Sequence, residues 1–146
     1  QGITDPVGLR TTPSAGALYP LELYVVGSTG LYHFLPAEQT LSKQNQQDLR
    51  PAIHGTALGQ DALIKAPAVF VFTAVFPRTQ RKYGPRGRRY VHMEAGHAAQ
   101  NLLLQAVALN LAGVAIGAFD DFGLHQLLEL PQNEAPLYLV PVGHPK

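Results

Sequence analysis

The first half of the chain contains three stretches whose pattern of apolar side chains predicts β-strands. Residues 21–26 alternate between apolar and polar side chains and end in β-branched residues, which predicts a strand. The Gly-Ser-Thr-Gly sequence at 27–30 predicts a turn that returns the chain into a hairpin partner over 31–35. Residues 68–75 form a continuous apolar run of strand length, which is typical of a buried strand.

Two further strands are predicted near the C-terminus. The small apolar residues 112–118 predict a short strand, and residues 136–142 predict a final one. Because Pro141 has no backbone N–H to donate, we expect the final strand to lie at an edge or to end early.

The strongest helix prediction covers residues 90–111, which contain no proline and are rich in alanine and leucine. This segment is apolar almost all round, so we expect a central helix that packs on several sides. Its polar residues recur at three- and four-residue steps and should share one stripe. Residues 44–63 predict one or two short helices interrupted at Pro51 and Gly55.

The remaining segments complete an α+β pattern. Residues 122–130 predict a helix that Asp120 or Asp121 can cap. Residues 77–89 contain proline and two glycines among many cations, which predicts a basic surface loop. Strands and helices are mixed without a regular βαβ rhythm, so the predicted class is α+β in a single domain over residues 1–146.

Composition narrows the class of protein. Charged residues are 14% of the chain, against about 25% in an average domain, so part of the neutral surface is expected to be buried in an oligomer, with a charge-poor monomer as the alternative. The chain has no cysteine, which excludes disulfides and thiolate chemistry. No apolar run is long enough to cross a bilayer and no leader pattern is present, so the expected location is the cytoplasm.

Four groups of residues have side chains that could form a functional site. Residues 13–20 hold a Ser-Ala-Gly sequence that would let backbone N–H groups approach a ligand, although an ordinary turn has the same composition. Glu94 and His97 form half of a di-metal motif whose other half is missing, so no metal site is predicted. Six of the eleven Lys and Arg residues lie within 78–89, and we favour a solvated segment there over nucleic-acid binding. Ser14 lacks the G-x-S-x-G context of a hydrolase nucleophile.

Three segments occur together in an order that one enzyme family shares. They are residues 10–22 (RTTPSAGALYPLE), residues 82–90 with 94–102 (KYGPRGRRY and EAGHAAQNL), and residues 116–121 with 139–143 (IGAFDD and LVPVG). In this the chain resembles the FMN-dependent nitroreductase family, specifically its SagB-type (thiazoline/oxazoline-oxidase-like) dehydrogenase branch. The resemblance covers essentially the whole chain.

The resemblance implies a nitroreductase-like fold, with a central, mainly antiparallel sheet flanked by helices, in an intertwined homodimer with FMN at each subunit interface. It implies that the Ser-Ala-Gly loop and the segment after the long helix contact the flavin ring. The implied cofactor-binding residues are Arg10, Pro13, Ser14, Ala15, Gly16, Ile116, Gly117 and Lys146. The implied substrate or interface residues are Tyr19, Tyr83, Glu94, His97 and Asn101.

The expected activity is FMN-dependent oxidoreduction with hydride transfer through flavin N5 and no dedicated acid or base. The expected substrate is a small molecule or a peptide azoline, with NAD(P)H as a candidate electron donor. Family members usually begin with an arm that grips the FMN phosphate, and this chain is expected to lack it, leaving Arg10 and Lys146 as basic candidates. A flavin-free scaffold or partner subunit is therefore the alternative function.

Overall fold

A computed structural model describes residues 8–145 of the protein. The strands are β1 (Leu21–Gly27), β2 (Gly30–Leu35), β3 (Thr40–Asn45), β4 (Ala68–Ala74), β5 (Ala112–Gly113) and β6 (Ala135–Gly143). The helices are α1 (Arg50–Thr56), α2 (Ala62–Lys65), α3 (Phe76–Tyr83), α4 (Gly87–Ala108) and α5 (Asp121–Leu127), with 3₁₀ turns at Ala15–Ala17 and Gly84–Arg86.

The strands form one six-stranded sheet in the order β3-β2-β1-β4-β6-β5, and each neighbouring pair is antiparallel. The predicted hairpin is confirmed, because Gly27 pairs with Gly30 around a two-residue turn. Gly30 has φ 136°, and a Cβ there would lie 2.0 Å from the Asn45 carbonyl oxygen, so only glycine allows β3 to end at this point. The α+β class and the antiparallel central sheet are confirmed.

Each face of the sheet carries its own apolar core. On one face Phe72 and Val140 pack against Val91 and Ala95 of α4. On the other face a second cluster includes Ile53 and Leu124 and is covered by α1, α2 and α5. Along β4 the odd and even residues thus face different helical layers, as the period of two in a strand requires.

The predicted long helix is confirmed over Gly87–Ala108, and its buried residues are small or branched: Val91, Ala95, Ala98, Ala99 and Ala106 among them. Within the single chain the helix packs against the sheet and against α3, as the prediction of several packed sides requires, but not on its remaining flank. Leu104 is 61% exposed and Val107 is 70% exposed, so one apolar flank of α4 is uncovered.

The basic loop prediction over residues 77–89 is wrong. This segment forms α3, a 3₁₀ turn and the first turn of α4. Pro77 lies at the start of α3, where its missing N–H costs no helical hydrogen bond. Phe76 and Thr79 point inward and are buried, so packing against the body of the protein stabilises the helix. Its many charged residues are the reason that composition predicted a loop.

Three smaller expectations also need correction. Pro51 and Gly55 lie inside α1 and do not interrupt it, since proline is accepted in the first helical turn. Only Ala112–Gly113 of the predicted strand 112–118 is a strand, with an isolated bridge at Ile116. The helix predicted over 122–130 is helical from Asp121 to Leu127, and Asp120 caps it as predicted by accepting a hydrogen bond from the Phe122 amide.

Pro141 neither ends the last strand nor places it at the edge of the sheet. β6 continues to Gly143 between β4 and β5. Leu139 exchanges both backbone hydrogen bonds with Ile116, on the β5 side, and Pro141 two residues later faces the same side. The missing N–H therefore faces β5, which pairs with β6 over only two residues. The hydrogen bonds between β6 and β4 are kept.

Candidate active site

The segment before β1 folds into a compact turn with unusual backbone angles. Its 3₁₀ turn spans Ala15–Ala17, and Gly16 has φ 63°. Ala17 and Tyr19 also have positive φ, at 53° and 45°. Positive φ is uncommon for residues with a Cβ, and such strain persists only where the surroundings fix the conformation. The contacts of Ser14 and Tyr19 show what fixes it.

Ser14 is the internal support of this turn. The Tyr19 amide donates a hydrogen bond to the Ser14 hydroxyl oxygen at 2.9 Å, and the Ala17 amide donates to the Ser14 carbonyl at 3.1 Å. The Ser14 hydroxyl in turn bonds the Glu94 carboxyl on α4. One small side chain therefore both closes the turn and ties it to the long helix.

Tyr19 is held on several sides. Its phenol oxygen accepts a hydrogen bond from the Arg10 amide at 3.1 Å, and the Arg10 guanidinium lies 4.3 Å from the centre of its ring. Its carbonyl accepts a hydrogen bond from Arg78 Nη1 at 3.2 Å. These contacts stabilise the positive φ of a bulky residue and fix the turn against α3.

Glu94 is a buried acid at the base of the turn. Its side chain is on the inward face of α4 and the residue is 3% exposed. Burial raises the pKa of Glu94, while the Ser14 hydrogen bond and the positive charges of Arg10 and His97 act in the opposite direction. The charge of this carboxyl therefore depends on the contacts of the turn.

The polar residues predicted to share one stripe of α4 contact the turn through Glu94, His97 and Asn101. His97 Nδ1 lies 3.4 Å from the Pro13 carbonyl oxygen, which it reaches as a donor. The Asn101 side-chain amide donates to the Thr12 hydroxyl at 3.4 Å, and Thr12 is 1% exposed. Together with the contact between Glu94 and Ser14, these bonds fasten residues 12–14 to three successive turns of α4.

The end of α3 covers the turn from the other side. A Cβ built on Gly16 would lie 2.9 Å from the Tyr83 phenol oxygen and 3.0 Å from Lys82 Nζ. The Tyr83 ring packs edge-on against Tyr90 at 5.1 Å. Lys82 was not among the predicted site residues, and its position in the sequence motif beside Tyr83 is the signal that could have indicated it.

These residues enclose a small cavity of about 250 Å³. It is lined by residues of the turn and of α4, namely Pro13, Ser14, Ala15, Tyr90, Met93, Glu94 and His97. A second cavity of about 460 Å³ lies further along α4, and its lining includes Thr11 and Asn101. The structure thus brings together most of the predicted residues that lie before β1 and on α4.

Ile116 and Gly117 are not part of that lining. Ile116 is paired with Leu139 and its side chain lies in the core on the face of the sheet opposite α4. Gly117 is exposed, and a Cβ there would be 3.6 Å from the Tyr138 ring. Lys146 lies outside the described residues.

Several cations of the segment 78–89 make internal contacts. Arg78 forms an ion pair with Glu22, Arg86 donates to the Tyr90 phenol at 2.9 Å, and Arg88 lies 4.8 Å from the centre of the Phe76 ring. Over residues 8–145, no group of three or more His, Asp or Glu side chains is arranged to hold a metal ion. Within the same range, no helix has the length and apolar character needed to span a membrane.

Sequence comparison finds two curated relatives of this chain. A nitroreductase homologue from Methanocaldococcus jannaschii is 43% identical over 148 residues, covering 97% of this chain and 74% of that protein. The microcin B17-processing protein McbC of Escherichia coli is 30% identical over 148 residues, covering 91% of this chain and 54% of that protein. The chain therefore spans about three quarters of one relative and about half of the other.

Structure comparison gives the same grouping. The Escherichia coli microcin synthetase McbBCD complex with truncated pro-MccB17 bound matches with a TM-score of 0.84 and 29% identity, covering 99% of this chain and 59% of the matched chain. The NADPH:FMN oxidoreductase of Vibrio harveyi matches with a TM-score of 0.71 and 23% identity, covering 93% and 55%. At that identity the second match shows the shared fold.

A family profile decides the assignment. The profile described as the nitroreductase family matches residues 7–144, which is nearly the whole chain. The antiparallel sheet, the long helix and the turn held on its polar stripe all lie within that match. The chain belongs to the nitroreductase family of oxidoreductases.

Proposed function

We propose that this chain is an FMN-dependent oxidoreductase of the SagB-type branch that works as a homodimer. The observation that carries the proposal is the turn Pro13–Gly16, which Ser14 locks to Glu94 and to the Tyr19 amide. It offers small side chains and a rigid backbone at the edge of a cavity, as a flat ligand would require.

The size of the cavity favours a site completed by a second copy. The cavity volume of about 250 Å³ is below the roughly 300–1,000 Å³ of a pocket that binds a drug-sized ligand or cofactor. Ile116 and Gly117, the other predicted wall, lie elsewhere in the same chain. We infer that the turn of one copy and the Ile116–Gly117 segment of its partner form the two walls.

The uncovered flank of α4 supports a dimer. Three apolar side chains of α4 are exposed to solvent: Met93 (48%), Leu104 (61%) and Val107 (70%). Leu109, directly after the helix, is 58% exposed. Gly96 is exposed, and a Cβ there would meet no atom within 4 Å, so the helix has a shallow notch beside these apolar residues. A second copy packed on this flank would remove the apolar surface from water.

The chemistry that FMN would supply is the exchange of a hydride with the substrate. The role of the residues described is then positioning. Ser14 and Tyr19 hold the turn rigid, Glu94 anchors it to α4, and Tyr83 with Lys82 closes one side of it. Rigid placement and exclusion of water are the contributions a protein makes to such a transfer.

A peptide azoline or a small molecule is the proposed substrate, and NAD(P)H is the proposed donor where the substrate is reduced. Relatedness to McbC and the likeness to the McbBCD complex with bound pro-MccB17 support the peptide class and a multi-subunit setting. The same likeness keeps the flavin-free partner subunit as the second candidate function.

The test is flavin binding by the purified chain. The expected results are a flavin absorption spectrum after reconstitution with FMN, loss of affinity in Ser14→Ala, and normal affinity in Ser28→Ala, which changes an exposed turn far from the site. A colourless protein that FMN does not reconstitute would refute the proposal for this chain and favour the partner-subunit function.

A further inference from the structure

A polar cavity, separate from the two cavities beside α4, lies on the opposite face of the sheet. Its volume is about 410 Å³. Its lining includes residues from β1 and β2, Arg78 of α3, and the segment between α5 and β6. Tyr24, Leu31 and Leu128 in its wall belong to the core that α1, α2 and α5 cover. It is therefore distinct from the cavity beside the Ser14 turn.

One of the two inner carboxylates of this cavity is neutralised. Glu22 forms an ion pair with Arg78 at 2.5 Å and a contact of 2.9 Å with His33 Nε2. Its side chain is 14% exposed, so the pair is largely shielded from water. Glu22 and Arg78 thus satisfy each other's charge.

The other inner carboxylate has only neutral donors. Glu134 is 5% exposed, accepts a hydrogen bond from the buried Thr73 hydroxyl, and accepts one from the Tyr24 phenol. Burial, followed by the negative charge of Glu134, raises the pKa of Tyr24. Across residues 8–145, no cationic side chain forms an ion pair with Glu134.

Burying the carboxylate of Glu134 in its charged form costs free energy that a nearby cation would offset. A buried carboxylate without a counter-charge loses solvation that two neutral hydrogen bonds do not fully replace. A carboxylate has about four lone-pair sites, so acceptor capacity is left over beside Thr73 and Tyr24. The exposed acid Glu129 on the rim adds a second negative charge toward the same cavity.

The wall beside Glu134 suits an organic cation. The Tyr24 ring is stacked on His33, with centroids 4.6 Å apart and an interplanar angle of 19°. His33 covers one face of the Tyr24 ring, and the parts of the two rings that line the cavity form an aromatic surface against which an alkyl chain can pack. Gln44 and Asn45 supply neutral polar groups on the β3 side.

We propose that this cavity is a binding site for a compact primary alkylammonium ion, with Glu134 as its counter-charge and Tyr24 as its aromatic wall. The ligand class follows from charge and size. An anion would meet Glu134 and Glu129, and a neutral alcohol would leave Glu134 without a counter-ion. Its ligand groups are not residues of the Ser14 turn, and Arg78, which lies in its wall and donates to the Tyr19 carbonyl, is the residue that the two sites share.

The experiment is a titration of the chain, residues 1–146, with n-butylammonium chloride at constant ionic strength, followed by the side-chain NMR signals of Tyr24 and His33. We expect saturable shifts at these two residues and none with butyrate. Glu134→Gln should weaken binding at least tenfold, while the matched rim variant Glu129→Gln should change it less than twofold.

A second comparison needs no variant and covers the case in which Glu134→Gln fails to fold. The wild-type chain should prefer n-butylammonium to 1-butanol at least tenfold. Unsaturated or absent shifts up to tens of millimolar, equal binding of the alcohol, or equal affinity of Glu134→Gln would each overturn the proposal. None of these outcomes depends on FMN, so a failure here leaves the oxidoreductase proposal standing.

Discussion

The substitution Ser14→Ala tests whether the turn at the candidate site is held as the contacts indicate. The Ser14 hydroxyl accepts a hydrogen bond from the Tyr19 amide at 2.9 Å and bonds the Glu94 carboxyl. Alanine keeps the Cβ and removes only the oxygen. The variant therefore leaves a part-buried amide and a buried carboxyl each without one partner.

The expected loss of stability follows from these two bonds. A neutral hydrogen bond contributes about 0.5–1.5 kcal/mol and one to a charged group about 1.5–3 kcal/mol. Because Glu94 is 3% exposed, water replaces little of the second bond. We expect the free energy of unfolding to fall by about 2–4 kcal/mol, which lowers Tm by roughly 4–16 °C for a domain of this size.

The loss should also depend on pH. The folded-state pKa of Glu94 is raised above its ordinary value of 4.5, mainly by burial. The folded protein then binds more protons than the unfolded chain, so stability falls as pH rises from that value through the folded pKa. The Ser14 hydrogen bond favours the charged carboxylate, so its removal should cost more at pH 8 than at pH 4.

The assay is thermal and urea unfolding of the wild type, Ser14→Ala, Glu94→Gln and the double variant at both pH values, at one protein concentration. In the Glu94→Gln background, Ser14→Ala should cost about 1 kcal/mol less at pH 8 and show no pH dependence. Ser28→Ala serves as the control and should change little. An equal Ser14→Ala penalty in both backgrounds and at both pH values would refute the reasoning.

Three further changes test the helices around the site. Gly87→Ala should destabilise the protein by about 1–3 kcal/mol in urea unfolding, because the new Cβ would lie 2.9 Å from the Gln80 Cα, and no measurable change would contradict the α3–α4 packing. Gly96→Ala, in the same helix but open, should stabilise a monomer by about 0.5–1 kcal/mol and reduce the dimer fraction in sedimentation; an unchanged dimer would place the interface elsewhere. Asp120→Ala should cost about 0.5–2 kcal/mol through loss of the cap on α5, measured by thermal unfolding, and an unchanged Tm would show that the cap contributes nothing.

Local pattern was sufficient where apolar side chains follow the period of their element. The hairpin of β1 and β2, the buried strand β4 and the long helix α4 all follow from it, because each has a clear apolar face or run. The strand β3 could not be predicted in the same way. Its side chains are mostly exposed, and only its backbone pairing with β2 makes it a strand.

The helix α3 shows the reverse difficulty. Its sequence is rich in cations and is followed by Gly84 and Pro85, so composition favoured a loop. Tertiary packing decides otherwise, because Phe76 and Thr79 are buried and Arg78 bonds Glu22. This helix also brings Lys82 over Gly16, a contact that no short-range pattern could reveal.

Only part of the candidate site was predictable from the sequence, since Ile116 and Gly117 lie apart from the Ser14 turn and Lys82 was not predicted. The motif resemblance selected the Ser14 turn and the stripe of Glu94, His97 and Asn101, which the structure places in contact. The hydrogen bonds of Tyr19 join it to Arg10, nine residues away, and to Arg78, 59 residues away in another element. Their partners are set by the fold, so sequence spacing alone could not assign them.

If the two proposed walls come from two copies, flavin binding and dimerisation become one linked equilibrium. FMN would bind the dimer and not the separate chains, so it would favour association by mass action. Linkage is reciprocal, and the factor by which FMN tightens the dimer must equal the factor by which dimerisation tightens FMN. Flavin affinity should therefore rise with protein concentration until the exposed apolar flank of α4, with Leu104 at 61% and Val107 at 70%, is fully paired. An affinity that is the same in dilute and concentrated protein would mean that one chain supplies both walls.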